Sequence, residues 1–168
     1  VSIGSGLHYA DHGPTHHSTE DFAVLKSLPH MRILSPAGPN DVEEMTKYLG
    51  KTVGPAYLRL GRGDDTNYKR KFNINKNEII KKGNALTIYA TGAAVKDSYE
   101  LLINEFKDKS IELINVNVIK PIDHKSILKS ARKNKKIIVI EEHQKTGGLA
   151  DSIFSLITKN NIKLKKAT

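Results

Sequence analysis

At 168 residues the chain can bury a real core, as one domain or as two small ones. With 38% apolar and 27% charged residues it reads as globular, and no apolar run approaches the roughly 18 residues of a membrane span. The absence of cysteine excludes a disulfide framework and a thiolate metal site and suits a reducing cytoplasm, while a formal charge of +9 requires that a nucleic-acid partner be weighed.

In chain order, the segment after Gly4 is a loop of glycine, proline and imidazole carrying His8, His12, His16 and His17 with Asp11 between them. Ser18-Thr19-Glu20-Asp21 reads as an N-cap and first helical turn, with acidic groups where the helix dipole favours them. Phe22, Leu25 and Leu28 form one apolar face until Pro29 stops that helix. Met31–Leu34 is a short strand. Asn40 or Asp41 caps a second helix with Val42, Met45 and Leu49 inward, and Tyr57–Leu60 is the next strand. Arg62 follows just past the C-terminal end of that strand, the edge of an open α/β sheet where ligands bind. Arg59, two residues back and on the same face, reads most simply as one half of an ion pair.

Gly61 to Asn77 is polar, glycine-bearing and without a period. Beyond it a strand over 85–90 closes on Thr91-Gly92, a helix over 94–106 turns Val95, Tyr99, Leu102 and Phe106 inward, and Ile111–Val116 is a strand. Asp123 caps a helix carrying Ile127, Leu128 and Ala131. Ile137–Ile140 runs into Glu141-Glu142-His143, and Gly147-Gly148 precedes a helix with Ile153, Leu156 and Ile157. Alternating strands and helices with short connections predict an α/β fold in two units, built on a mostly parallel, helix-covered sheet. Charge divides the same way. Residues 1–68 carry 6 basic and 8 acidic side chains and residues 69–168 carry 21 and 10. The lysines of the second half are scattered and lack interleaved aromatics, which favours a solvated face over a nucleic-acid stripe.

Three chemistries are open to the histidine loop. Imidazoles plus a carboxylate suit a transition metal, though the spacing is not that of a rigid helical pair. They could equally lie scattered on a solvated loop. The third reading gathers them around a hydroxylated, phosphorylated substrate, where imidazole can donate to a sugar hydroxyl and exchange protons near neutral pH.

The run GPTHHSTEDFAVLKSLPHM resembles the late part of the pyrimidine-binding domain of transketolases, and above all the short, split transketolases in which that half is a separate subunit. YLRLGR, the Thr91-Gly92 turn and the EEHxxxGGL pattern from Glu141 to Leu149 are similar to the family as well. The resemblance implies a partial pyrimidine-binding α/β domain over 1–66, a linker over 67–80 and a small three-layer α/β transketolase C-terminal domain over 81–168. It implies an N-terminally truncated part of an enzyme that moves a two-carbon ketol unit from a ketose phosphate to an aldose phosphate. Thiamine diphosphate and Mg2+ belong to the complete enzyme, and no cofactor is expected on this chain alone. His16, the histidine of GPTH, would lie against the reacting end of the sugar as a catalytic residue. His12, standing where the family often has aspartate, would join it. His8 and Arg62 would bind substrate, Arg62 through its phosphate. Glu20 matches the family pattern and could also be a capping carboxylate. Glu141, Glu142 and His143 are read as structural or interfacial.

The partners implied are sugar phosphates and a diphosphate-binding transketolase subunit, in a homodimer or heterotetramer in the cytoplasm, with no membrane. 1-Deoxyxylulose-5-phosphate synthase has a similar GxTH turn, and the beta subunits of 2-oxoacid dehydrogenases share the EEHxxxGG region but lack GPTHH. A non-catalytic interaction module using the basic second half is the alternative from another class.

Overall fold

The computed structural model describes residues 2–61 and 72–168. Two sheets make up the architecture. The first has the order β1-β3-β2-β7. Its parallel strands are β1 (Ser2–Ile3), β2 (Arg32–Leu34) and β3 (Ala56–Leu60), and β7 (Val118–Lys120) runs antiparallel against β2. The second has the order β4-β6-β5-β8-β9. There β5 (Leu86–Ala90), β6 (Ile111–Asn115), β8 (Lys136–Ile140) and β9 (Lys166–Ala167) are parallel, with β4 (Glu78–Lys81) antiparallel at one edge.

Side-chain alternation on β5 sorts the second sheet into three layers. Leu86, Ile88 and Ala90 face Val95 and Leu102 of α3 (Ala94–Asn104). Tyr89 points the other way, toward Ile127 and Ala131 of α4 (His124–Asn134) and Ile153 and Ile157 of α5 (Leu149–Lys159). Strands with both faces covered read as near-continuous apolar runs, which is how this sheet is legible in the sequence. Asp123 caps α4 as expected, its carboxylate accepting the Ser126 N–H at 3.2 Å. Burial alone would lift that carboxyl, but hydrogen bonds from the Asn77 N–H, Ser126 and the Lys125 N–H together hold it below the ordinary aspartate value.

The two halves share one interior. Phe22 and Ile33 of the first half are fully buried in the same cluster as Tyr89, Ile127 and Ile153 of the second. Strand β7 belongs by sequence to the second half and completes the sheet of the first, and its Val118 packs with Leu34, Met45 and Leu58. Neither β4 nor β7 nor β9 is signalled in the sequence, because each is a short edge strand that takes its conformation from the strand it pairs with.

Three helix boundaries differ from expectation. α1 covers only Asp21–Lys26, so Leu28 lies beyond it and is exposed, and Ser18 does not cap it: Glu20 holds the cap position with no side-chain cap bond. α2 (Pro39–Leu49) starts two or three residues early, with Gly38 at the cap position. Asp41 is buried within its first turn and accepts the Ala37 N–H at 3.0 Å and the Asn115 amide at 3.3 Å. α3 ends at Asn104, leaving Phe106 40% exposed rather than inward.

Candidate functional site

The histidine loop is held at both ends by backbone. Gly4 and Ser5 donate to the Leu60 carbonyl at 3.0 and 3.2 Å, which fixes the start of the loop at the C-terminal end of β3. Gly6 and Ser18 exchange both of their backbone hydrogen bonds, at 3.2 and 2.9 Å, and close residues 7–17 into a ring with a two-residue neck. Inside the ring a short 3-10 turn, Ala10–His12, brings His12 round.

Three aromatic rings gather there. His12 and His16 have centroids 5.0 Å apart, and Tyr9 meets them edge-on at 5.8 and 6.1 Å. Thr15 Oγ1 lies 3.0 Å from His16 Nδ1 and fixes that ring's orientation. Both imidazoles are exposed, so each has a ring nitrogen able to meet a ligand. The pair expected to act together is therefore adjacent. Thr15 belongs to GPTH, though the motif assigns it no role, and Tyr9 lies outside that motif; their part in ordering the pair emerges from the loop's closed shape.

His8 stands apart from that pair. Its ring lies by Gly61, where a Cβ would sit 3.7 Å from His8 Cε1 and 2.9 Å from Ser5 Oγ. A cleft of 410 Å³ opens on the same Gly61, between Leu60 at the end of β3, the Ala37-Gly38-Pro39 start of α2, and Ala93 of the second half. Arg62 lies outside the described residues. His17 turns inward, with its Nε2 buried and without a hydrogen-bond partner. Glu20 is exposed and its carboxylate accepts the Thr19 hydroxyl at 2.6 Å, so although it holds the cap position its side chain does not cap the helix. Among the described residues no three His, Cys, Asp or Glu converge as a metal would require. No helix among them is long and apolar enough to cross a membrane.

Beneath the loop is a buried ion pair. Arg59 donates through Nε to Asp21 Oδ2 at 2.7 Å and through Nη2 to Asp21 Oδ1 at 3.1 Å, and its guanidinium lies 4.3 Å above the centre of the Phe22 ring. The Tyr57 hydroxyl donates to the same carboxylate at 2.8 Å. His143 stacks on the Phe22 ring at 5.3 Å and 11°. Glu141 accepts the Leu149 and Ala150 N–H groups at 2.6 and 2.8 Å and so caps α5. Lys26 donates to the Gly148 carbonyl and Ser152 Oγ at 2.8 and 2.7 Å. Burial pulls its ammonium below the ordinary lysine value, partly opposed by the charges of Glu141 and Asp151.

Residues 1–66 match the family model "Transketolase, pyrimidine binding domain" and residues 75–167 match "Transketolase, C-terminal domain". This chain belongs to the transketolase family. Among curated transketolase-family relatives it is 31% identical over 171 residues to one subunit of the apulose-4-phosphate transketolase of Phocaeicola vulgatus, covering 98% of this chain and 54% of that protein. It is 30% identical to the 1-deoxy-D-xylulose-5-phosphate synthase of Desulfitobacterium hafniense, covering 88% of this chain and 24% of that enzyme. A solved structure described as a split gene transketolase, inactive beta4 tetramer, superposes with a TM-score of 0.85 at 25% identity, over 98% of this chain and 55% of that one. Transketolase from Leishmania mexicana shares the fold at a TM-score of 0.69 and 12% identity, over 96% of this chain and 28% of that one. The transketolase-family chain thus spans about half the length of the split-type relatives it matches and about a quarter of the longer synthase.

Proposed function

We propose that this chain supplies the sugar-handling surface of a transketolase that transfers a two-carbon ketol unit from a ketose phosphate to an aldose phosphate. The observation that carries the reading is the exposed, adjacent pair His12 and His16, the second being the histidine of the family's GPTH sequence and the first the residue just before it. His16 contacts the donor hydroxyl beside the carbonyl and exchanges its proton, and His12 orients the same end of the sugar. His8, beside Gly61, lies toward the substrate's other end, and Arg62 offers a permanently charged planar fork to its phosphate.

Thiamine diphosphate supplies the nucleophilic carbon in such enzymes, with Mg2+ carrying the diphosphate. The donor set described here does not fit that group: it is imidazole and hydroxyl, and no cation-holding cluster occurs among the described residues. A diphosphate-binding subunit supplies that part, in a cytoplasmic homodimer or heterotetramer, and the 168-residue chain alone is inactive.

The test is two-carbon transfer from xylulose 5-phosphate with thiamine diphosphate and Mg2+, in the chain's native full-length form with its diphosphate-binding partner. His16→Ala should lower kcat about 100-fold or more, with an unchanged circular dichroism spectrum. Apulose 4-phosphate is the second donor to try, given the split relative that carries its name. Condensation of pyruvate with glyceraldehyde 3-phosphate in place of ketol transfer would replace this reading with the synthase one, which the 30% identical relative supports.

A further inference from the structure

The EEHxxxGGL segment is the most conspicuous motif to which the site chemistry gives no role. Its turn runs along the base of the histidine loop. The Glu142 carbonyl accepts Arg59 Nη2 at 3.0 Å, and the same nitrogen donates to the Ser18 carbonyl at 2.7 Å. Ser18 is one side of the loop's neck. The other side is Gly6, which has φ 61° and lies so close to Glu142 that a Cβ there would fall 2.4 Å from Glu142 Cβ. Gln144 N–H donates to the Thr19 carbonyl at 3.0 Å. Ala23 N–H donates to His143 Nε2 at 3.4 Å, and the His143 side chain is fully buried on Phe22. Gly147 is closed against Ala23, where a Cβ would meet the Ala23 Cβ at 2.5 Å.

From these contacts we infer that the 142–147 turn of the second half is a clamp on the neck of the imidazole loop, with Arg59 as the positioning residue that joins the two. Arg59 grips the two Asp21 oxygens as a fork through Nε and Nη2, and the same Nη2 also meets the Ser18 and Glu142 carbonyls, so one planar cation gathers all three acceptors. A lysine ammonium would lose the Nε bond to Asp21 Oδ2 and the flat face laid over Phe22, and so would not hold this position. The Phe22 ring, against which both the guanidinium and the His143 ring pack, holds the fork in its plane. Displacement of the neck moves His12 and His16 together, since both lie within the ring it closes. The C-terminal half therefore takes part in the site without touching the substrate. Only the kinetic consequence of this clamp rests on the ketol-transfer reading.

The experiment is amide hydrogen exchange by NMR on the whole chain, comparing the wild type with Arg59→Lys and His143→Leu, together with the ring Cε1–Hε1 resonances of His12 and His16. Both variants should speed exchange at Gly6 and Ser18 at least about tenfold and shift both histidine resonances, while the amides pairing β5 with β8 keep their protection. His143→Leu touches neither Arg59 nor the loop, and it decides the matter if Arg59→Lys loosens the whole fold. Unchanged exchange at Gly6 and Ser18 in folded His143→Leu overturns the clamp. In the complete assembly, Arg59→Lys should lower kcat about 10–100-fold with little change in KM, as for misplaced catalytic groups. Loss confined to KM overturns the positioning role. If the wild-type assembly transfers no ketol unit, the functional reading falls and the exchange result still judges the clamp.

Discussion

Gly6 adopts φ 61°, and its missing side chain leaves the space that Glu142 occupies. Gly6→Ala therefore combines a left-handed backbone that costs an L-residue about 1–2 kcal/mol with an overpacked contact of about 1–3 kcal/mol. Urea denaturation should show a loss in the combined range, and the histidine loop should lose its exchange protection first. Phe22 is different in kind, being an aromatic side chain with no exposed surface, packed against both Arg59 and His143. Phe22→Ala should cost about 3–5 kcal/mol, and a loss below about 1 kcal/mol would show that the site collapses around the cavity. Both phenotypes belong to single residues because each side chain, or its absence, fills one defined volume.

At the scale of elements, the contrast lies between helices with a local stop signal and helices that take their ends from neighbours. α4 carries its own signal in Asp123, and its start is readable from sequence. Asp123→Ala should cost about 1 kcal/mol. The folded carboxyl titrates below its ordinary value, so its contribution is complete above the unfolded pKa of about 4 and is lost as pH falls through the lower folded value. Stability measured against pH should show a shallower acid decline in Asp123→Asn than in the wild type. A parallel decline would mean that the hydrogen bonds do not favour the ionised form. α1, by contrast, is only 6 residues long and ends where Lys120 reaches the Lys26 and Leu28 carbonyls at 2.8 and 2.7 Å. Pro29 is a sound stop signal, but it cannot say that the last turn is given up to a lysine far along the chain.

Over the whole molecule, the two halves that the sequence separates are bound by a strand and by a core. β2 pairs with β7, and Phe22 and Ile33 are buried with Ile127 and Ile153. Separating the halves would expose that common apolar surface and leave the β2 edge unpaired. Thermal unfolding followed by calorimetry should therefore give one transition, with near- and far-ultraviolet dichroism changing together. Two resolved transitions would show that the shared core contributes little.

What the sequence determined by itself is whatever rests on local chemistry or short-range period. The apolar runs of β5, β6 and β8 announce buried parallel strands, Asp123 announces a helix start, and the order GPTHH announces the family's histidine turn. His12 and His16 could be named from the resemblance of the GPTH turn, and the structure adds that their rings lie 5.0 Å apart. The tertiary structure decided the rest. Only a fold could turn His17 inward and send His8 to Gly61, pair β7 with β2, and bring Glu142 against Gly6 across more than a hundred residues. The physical reason is the same in each case: such contacts pair groups distant along the chain, whose energies appear only once the interior closes, so no window of neighbouring residues carries their signal.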